Sequence, residues 1–209
     1  MRVGVDEAGK GPVLGSMFAA AVRADPADLP EGVGDSKGIP AQRRERLASA
    51  VREAADAVAV VEIPVERIDD PETDMNELTV LAHSETLADA AGPDDEAVVD
   101  AGDTNAVRFE RRVERRAPPT IRAEHGADEA HAIVGAASIV AKSAREAHVA
   151  DLAAEYGDVG SGYPSDQTTR TFLRRYVDEH GSLPACARQS WQTSRDVLAA
   201  RDQASLGEF

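Results

Sequence analysis

Asp6 and Glu7 stand side by side where an apolar run ends, in Val3-Gly4-Val5-Asp6-Glu7-Ala8-Gly9-Lys10-Gly11-Pro12. The run has the composition of a short buried strand, and Gly-Lys-Gly-Pro then breaks any regular element. Two carboxylates at the mouth of a core strand are costly to desolvate unless something compensates them. A divalent cation is the usual compensation, because hard ions prefer carboxylate oxygens. Two further acids share the setting. Asp100 follows Val98-Val99 at another strand end, and Asp128 opens a long alanine-rich helix after Glu124-His125-Gly126-Ala127. Ligand sites in α/β folds gather beyond the carboxyl ends of strands, which would let Asp6, Glu7 and Asp100 converge. Each acid also has a plainer role. The pair can be an acidic surface turn, Asp128 an N-cap and Asp100 the start of a turn; for Asp100 or Asp128 taken singly, the plainer role is favoured.

A competing chemistry uses the same residues. Gly4 to Lys10 fits G-x-x-x-x-G-K, most of a phosphate-binding P-loop. The next residue should be Ser or Thr to hold Mg²⁺, yet it is Gly11, followed by Pro12, which has no N–H to offer a phosphate. Asp6 and Glu7 would also put two negative charges into a cradle meant for phosphate.

The elements that must position these acids can be read from periodicity. Residues 1–23 read as two strands joined by the glycine turn, the second from Met17 to Val22. Residues 24–40 are loop-like. A helix is expected over Gln42–Ala57, a strand over Val58–Val65, a helix over Asp74–Ala91 and a short strand at Ala97–Val99. Thr120–Ala123 is a weaker strand. Asp128–Tyr156 is a long helix, followed by a Gly160–Pro164 turn, a helix over about Asp166–Glu179 stopped by Gly181, and a last helix near Ser194–Arg201. Strands that alternate with helices and then give way to helices alone predict an α/β core with a small helical C-terminal extension. Three segments follow: 1–156, 157–202 and a tail, 203–209.

The chain has 209 residues, enough for one sizeable core. No run of some 18 apolar residues is present, so no transmembrane helix is expected. The first strand begins at once, which leaves no room for a signal peptide. Cys186 is the one cysteine, which excludes an internal disulfide and a cysteine-based zinc site. A soluble, cytoplasmic, monomeric protein is expected. Its net charge is −15, with 38 acidic residues against 23 basic ones, and Lys10, Lys37 and Lys142 are the only lysines. Acid spread along the whole chain with lysine nearly absent suits very high salt, where the Debye length is about 3 Å at 1 M. A nucleic-acid partner is therefore compatible with the charge, held by close contacts rather than long-range steering.

Taken together, several segments resemble ribonuclease HII, the type 2 ribonuclease H of the archaeal kind. Val5 to Pro12 looks like its first strand and loop, and Gly34-Asp35-Ser36-Lys37 like its D-S-K loop. Met75-Asn76-Glu77-Leu78 matches its M-N-x-L helix start, and Val99-Asp100-Ala101-Gly102-Asp103 the segment with the third acid. Glu124 to Asp128 and Ala136 to Lys142 resemble the fourth acid and its following helix. Gly160 to Asp166 and Ser190-Trp191 match C-terminal motifs. Ser16, Gly38 and Pro40 depart from the pattern, and none of them touches the acids.

The resemblance implies a ribonuclease-H-like mixed β-sheet flanked by helices. It implies that Asp6, Glu7, Asp100 and Asp128 are catalytic and bind two Mg²⁺ or Mn²⁺ ions. The implied substrates are RNA/DNA hybrid and ribonucleotide-containing duplex DNA, cut to leave a 5′-phosphate and a 3′-hydroxyl. Gly9, Lys10 and Gly11 would read the 2′-hydroxyl, the group that distinguishes RNA from DNA. Tyr163 would stack on the sugar at the junction, and Lys37 and Lys142 would contact phosphates. The alternatives are a nucleotide hydrolase using Lys10 and a nucleic-acid-binding module that has lost catalysis. The five histidines show no metal spacing; Trp191 is expected to pack under the extension.

The last residues, Gln203-Ala204-Ser205-Leu206-Gly207-Glu208-Phe209, fit Q-x-x-L-x-x-F. That is the core of the peptide by which replication and repair proteins bind the sliding clamp (PCNA). Gln203 would cap a polar pocket while Leu206 and Phe209 fill an apolar one.

Overall fold

A computed structural model describes residues 1–34, 38–117 and 119–206, the last three by backbone only. Lys37, with most of the D-S-K loop, and Phe209 lie outside the described residues. Five strands form one sheet: β1 (Arg2–Ala8), β2 (Met17–Ala24), β3 (Ala57–Ile63), β4 (Glu96–Asp100) and β5 (Thr120–Glu124). Their order is β3-β2-β1-β4-β5. β1 pairs antiparallel with β2 and parallel with β4, so the sheet is mixed. The helices are α1 (Ala41–Ala54), α2 (Val65–Ile68), α3 (Met75–Ala90), α4 (Ala106–Glu114), α5 (Ala127–Ala130), α6 (Ala132–Tyr156), α7 (Gln167–His180) and α8 (Gln192–Leu206).

The chain divides into two compact units. The first comprises residues 1–9, 17–63 and 74–146; the second comprises 10–16, 64–73 and the chain from 147 onward. The division therefore falls inside α6 rather than at residue 156, and the second unit takes in two short stretches from earlier in the sequence.

In the first unit both faces of the sheet are covered, which is why β1 and β2 read as near-continuous apolar runs. On one face Ala20, Val22 and Ala24 pack with Ala48 and Val51 of α1 and with Ile133, Ala137 and Val140 of α6. On the other, Val3, Val5 and Val99 pack with Val80 and Leu87 of α3 and Phe109 and Val113 of α4. α6 lies so close to β1 that a β-carbon on Gly4 would stand 2.2 Å from the Ile133 carbonyl oxygen. Asp74 caps α3 by accepting the N–H groups of Asn76 and Glu77.

The second unit is built around Val13, Leu14, Val159, Phe172, Leu173 and Ala187. Leu14 makes an isolated antiparallel bridge with Ala187. The fully buried Arg188 donates from Nε to the Gly15 carbonyl at 2.8 Å and from Nη1 to the Lys10 carbonyl at 2.9 Å. Trp191 takes the guanidinium of Arg188 over its ring and donates from Nε1 to the Gly11 carbonyl at 3.2 Å. It packs as expected. α7 begins at its Asp166 cap and stops at Gly181, which has φ 78°.

Several elements differ from expectation. The helix expected to reach Ala57 ends at Ala54, and the strand expected to reach Val65 ends at Ile63, because Pro64 has no N–H for the ladder and leads into α2. α4 was not expected: Phe109 and Val113, its buried contacts, are embedded among five arginines. The single helix expected from Asp128 is broken at His131, whose φ −130° and ψ 114° are extended. α8 runs from Gln192 to Leu206, past the expected end at Arg201, so Gln203 and Leu206 lie on a continuing helix.

Candidate active site

Period-two alternation sends neighbouring residues of a strand to opposite faces of the sheet. β1 thus aims Asp6 at the α6 side and Glu7 at the α3 side. Val5 pairs with Val99 in the parallel register, so Asp6 and Asp100 are the next residues of adjacent strands. β5 in turn leads through Gly126, whose φ of 67° makes the turn into α5, to Asp128. The three strands end side by side, and their acids end there with them.

Asp6 is buried; its Oδ1 accepts the Glu7 N–H at 2.7 Å, and Ser138 of α6 donates to its carboxyl. Burial pushes the Asp6 carboxyl well above the usual carboxylate range, and the charges of Glu7 and Asp100 push it the same way. Asp100 accepts the Ala127 N–H at 2.8 Å. Its carboxyl is raised chiefly by burial and further by the charges of Glu7 and Asp128, against that hydrogen bond and the nearby His83. Asp128 is buried in the first turn of α5. It is not the N-cap, which is Gly126. Asp6 thus feels the charges of Glu7 and Asp100, and Asp100 those of Glu7 and Asp128.

Sequence reasoning missed His83 and the role of Ser138. His83 is fully buried on α3, with Nε2 2.8 Å from Glu7 Oε2 and its ring edge-on to Phe109 at 5.2 Å. Its Nδ1 has no hydrogen-bond partner, so Nε2 carries the hydrogen that holds Glu7. The available signal was a histidine on an otherwise apolar helix face, between Val80 and Leu87. Glycine makes room here too: a β-carbon on Gly102 would stand 2.5 Å from Thr79 Cγ2 and 3.2 Å from Glu7 Oε1. His131, which flanks Asp128 in sequence, turns instead to Glu124 at 3.1 Å.

The donor set suits a hard cation: four carboxylates, two of them raised by burial and mutual repulsion, which a divalent ion would relieve. Among the described residues no three His, Cys, Asp or Glu side chains already converge on one point. Glu7, Asp6 and Asp100 are turned to His83, Ser138 and the Ala127 N–H, the local donors that compensate them.

Lys142 is half-buried on α6 in the first unit. In the second unit, Lys10 and Gly11 belong to the stretch anchored by Arg188 and Trp191, and Tyr163 is 43% exposed. Its ring lies against Gly11, where an added β-carbon would stand 3.8 Å from Cε1. Gly9 has φ 87°, a conformation open to glycine. The P-loop alternative fails on topology. Arg2–Ala8 is strand throughout, and the next regular element is the antiparallel β2, with no helix to receive a phosphate. No helix among the described residues is long and apolar enough to cross a membrane.

The family model described as Ribonuclease HII matches residues 3–194. A Ribonuclease HII of Haloarcula marismortui is 66% identical over 100% of both chains. The crystal structure of ribonuclease H2 from Pyrococcus horikoshii OT3 superposes with a TM-score of 0.89 at 32% identity, covering 97% of this chain and 99% of that one. The ribonuclease HII of Archaeoglobus fulgidus, solved in complex with PCNA, gives 0.87 at 35% identity over 94% and 96%. Sequence and fold agree along nearly the whole chain: it belongs to the ribonuclease HII family and is a ribonuclease H.

Proposed function

We propose that this ribonuclease H cleaves the RNA strand of RNA/DNA hybrids and cuts 5′ to single ribonucleotides in duplex DNA, leaving a 5′-phosphate and a 3′-hydroxyl. The observation that carries this reading is the gathering of acids: Asp6 and Glu7 near the end of β1, Asp100 at the end of the adjacent β4, and Asp128 in the first turn of α5, close enough that Asp100 feels the charges of Glu7 and Asp128. These acids would hold two Mg²⁺ or Mn²⁺ ions. When bound, such a pair activates water on one side of the phosphorus and stabilises the leaving oxygen on the other.

The chain's own residues supply the rest. His83 fixes the Glu7 carboxylate from the α3 side, and Ser138 fixes Asp6 from the α6 side. Gly9, Lys10 and Gly11 present backbone to the 2′-hydroxyl, held in place through the Lys10 and Gly11 carbonyls. The exposed Tyr163 ring beside Gly11 offers a stacking face for the sugar at the RNA–DNA junction. Lys142, and Lys37 beyond the described residues, contact phosphates. Gln203, Leu206 and Phe209 bind the sliding clamp, a partner that the Archaeoglobus complex supports by analogy. The protein acts as a cytoplasmic monomer.

The test is cleavage of a labelled DNA duplex containing one ribonucleotide, in high salt with Mg²⁺ or Mn²⁺. Wild type is run beside Asp100→Asn and an all-DNA control. A single cation-dependent cut 5′ to the ribonucleotide, lost in Asp100→Asn, is expected. No cut under any cation or salt condition, with binding retained, would point instead to a binding module tethered to the clamp.

A further inference from the structure

The chain carries a net charge of −15, yet α4 and the residue pair that ends it hold five arginines: Arg108, Arg111, Arg112, Arg115 and Arg116. With Phe109 and Val113 fixed in the core, the arginines fall on the remaining faces. Arg108, Arg112 and Arg116 form one i, i+4 row; Val107, Arg111 and Arg115 form the next. The first row is tied down. Arg108 grips the buried Asp103 through Nε at 3.0 Å and Nη2 at 2.6 Å, and Arg112 and Arg116 share Glu77 of α3.

The second row is not. Arg111 and Arg115 are exposed and have no acidic partner among the described residues. Val107 beside them is 55% exposed. Together these side chains border an open groove of about 760 Å³, shared with Arg108 and Arg112 of the first row, with Asn105 and Asn76, and with Asp74, whose carboxyl is turned to the Asn76 and Glu77 N–H groups. The groove lies wholly within the first unit. It adjoins the acids along the chain, since α4 begins six residues after Asp100 and Gly102 between them packs against Thr79 of α3.

We infer that this arginine face of α4 is a contact for the phosphate backbone of a nucleic-acid duplex beyond the nucleotides being cut. The inference rests on the ribonuclease reading, which supplies the polyanion. Guanidinium groups suit the task because their planar fork meets phosphate oxygens in pairs. Close contact is also the form of attraction that survives where the Debye length is about 3 Å. Arg111 to Arg115 spans about 6 Å of helix, roughly two nucleotides at about 3.4 Å of rise. Two successive phosphates, rather than a single small anion, match that length. The Asp103 and Glu77 pairs hold the first row as a floor and leave the second row to the ligand.

The experiment measures binding of a fluorescent RNA/DNA hybrid across a series of potassium chloride concentrations, in the Asp100→Asn background so that the hybrid stays intact. Arg111→Gln/Arg115→Gln is compared with a charge-matched control, Arg46→Gln/Arg52→Gln, on exposed positions of α1. The α4 pair is expected to flatten the slope of log Kd against log salt by roughly 2, at about 0.9 for each phosphate no longer neutralised, and the control to leave it unchanged. In the cleaving enzyme, the α4 pair is expected to raise KM with kcat retained. A Kd and slope equal to the control's would overturn the inference. So would unchanged hybrid binding together with lost clamp binding, which would assign the face to a protein. Failure of the wild-type chain to cut any ribonucleotide-containing duplex would remove the parent reading, whereas unchanged binding in a chain that cuts removes only the role of α4.

Discussion

Replacing Gly102 by alanine tests how tightly the Glu7 side of the site is packed. The new β-carbon would stand 2.5 Å from Thr79 Cγ2, 3.2 Å from Glu7 Oε1 and 3.5 Å from Phe109 Cε2. Carbon–carbon contacts settle near 3.5–4.0 Å, so the first is an overlap of about 1 Å or more. Thr79 cannot yield cheaply: it is fully buried, and its hydroxyl donates to the Met75 carbonyl at 2.6 Å. Rotating it away would orphan that hydroxyl, at about 1–3 kcal/mol. Phe109 is locked in the core beside it. Overpacking of this kind costs about 1–3 kcal/mol, which at roughly 2–4 °C per kcal/mol lowers Tm by about 2–12 °C. The Glu7 carboxylate is also displaced from His83. Loss of such outer support weakens cation affinity by about 10–100-fold. Thermal melts without cation and calorimetric Mn²⁺ titrations read the two effects separately. Adding Thr79→Ser removes the clashing methyl and keeps the hydroxyl, so the double variant is expected to recover stability relative to the sum of the single changes. A Gly102→Ala protein with wild-type Tm and Mn²⁺ affinity would refute this account.

Two further outcomes follow from the acids and the tail. Folding raises the Asp6 pKa, so the cost to stability is full above its folded pKa, shrinks as pH falls through that pKa, and is gone only below the unfolded value. Asp6→Asn should therefore melt higher than wild type at neutral pH without cation, with the gap closing toward acid pH, while cleavage is lost; an equal or lower neutral-pH Tm would contradict the repulsion read here. Deleting Gln203–Phe209 should abolish clamp binding measured by surface plasmon resonance and leave basal cleavage intact, and an unchanged clamp affinity would end that assignment.

The strands and the acids at their ends were legible because burial on both faces leaves continuous apolar runs, and an acid closing such a run stands out. Helix ends announced themselves where chemistry forces them, as at Asp74, Asp166 and Gly181. α4 was not legible, since its two core residues are spaced four apart within a dense arginine background and its N-cap, Asn105, has no apolar run after it. His83 was missed because pairing with Glu7 joins residues 76 apart, invisible to local periodicity. The break at His131 has no proline or glycine at that position to announce it, and the close packing just after it is long-range: a β-carbon on Gly135 would stand 2.3 Å from the Val33 carbonyl oxygen. The division of the chain had no local signal either, because residues 10–16 and 64–73 join the second unit only by packing with the C-terminal part of the sequence.

That packing sets a timetable for biosynthesis. The stretch from Lys10 to Gly15 leaves the ribosome long before its partners, Gly162, Cys186, Arg188 and Trp191. Arg188 follows Lys10 by 178 residues. At about 5–20 residues per second, the loop waits on the order of ten seconds or more for its anchors. The acids of β1, β4 and α5 are all translated before that point. A nascent chain thus holds all four acids before the anchors of the Lys10–Gly15 stretch exist, and that stretch is fixed only when the C-terminal part of the sequence packs onto a segment made long before it.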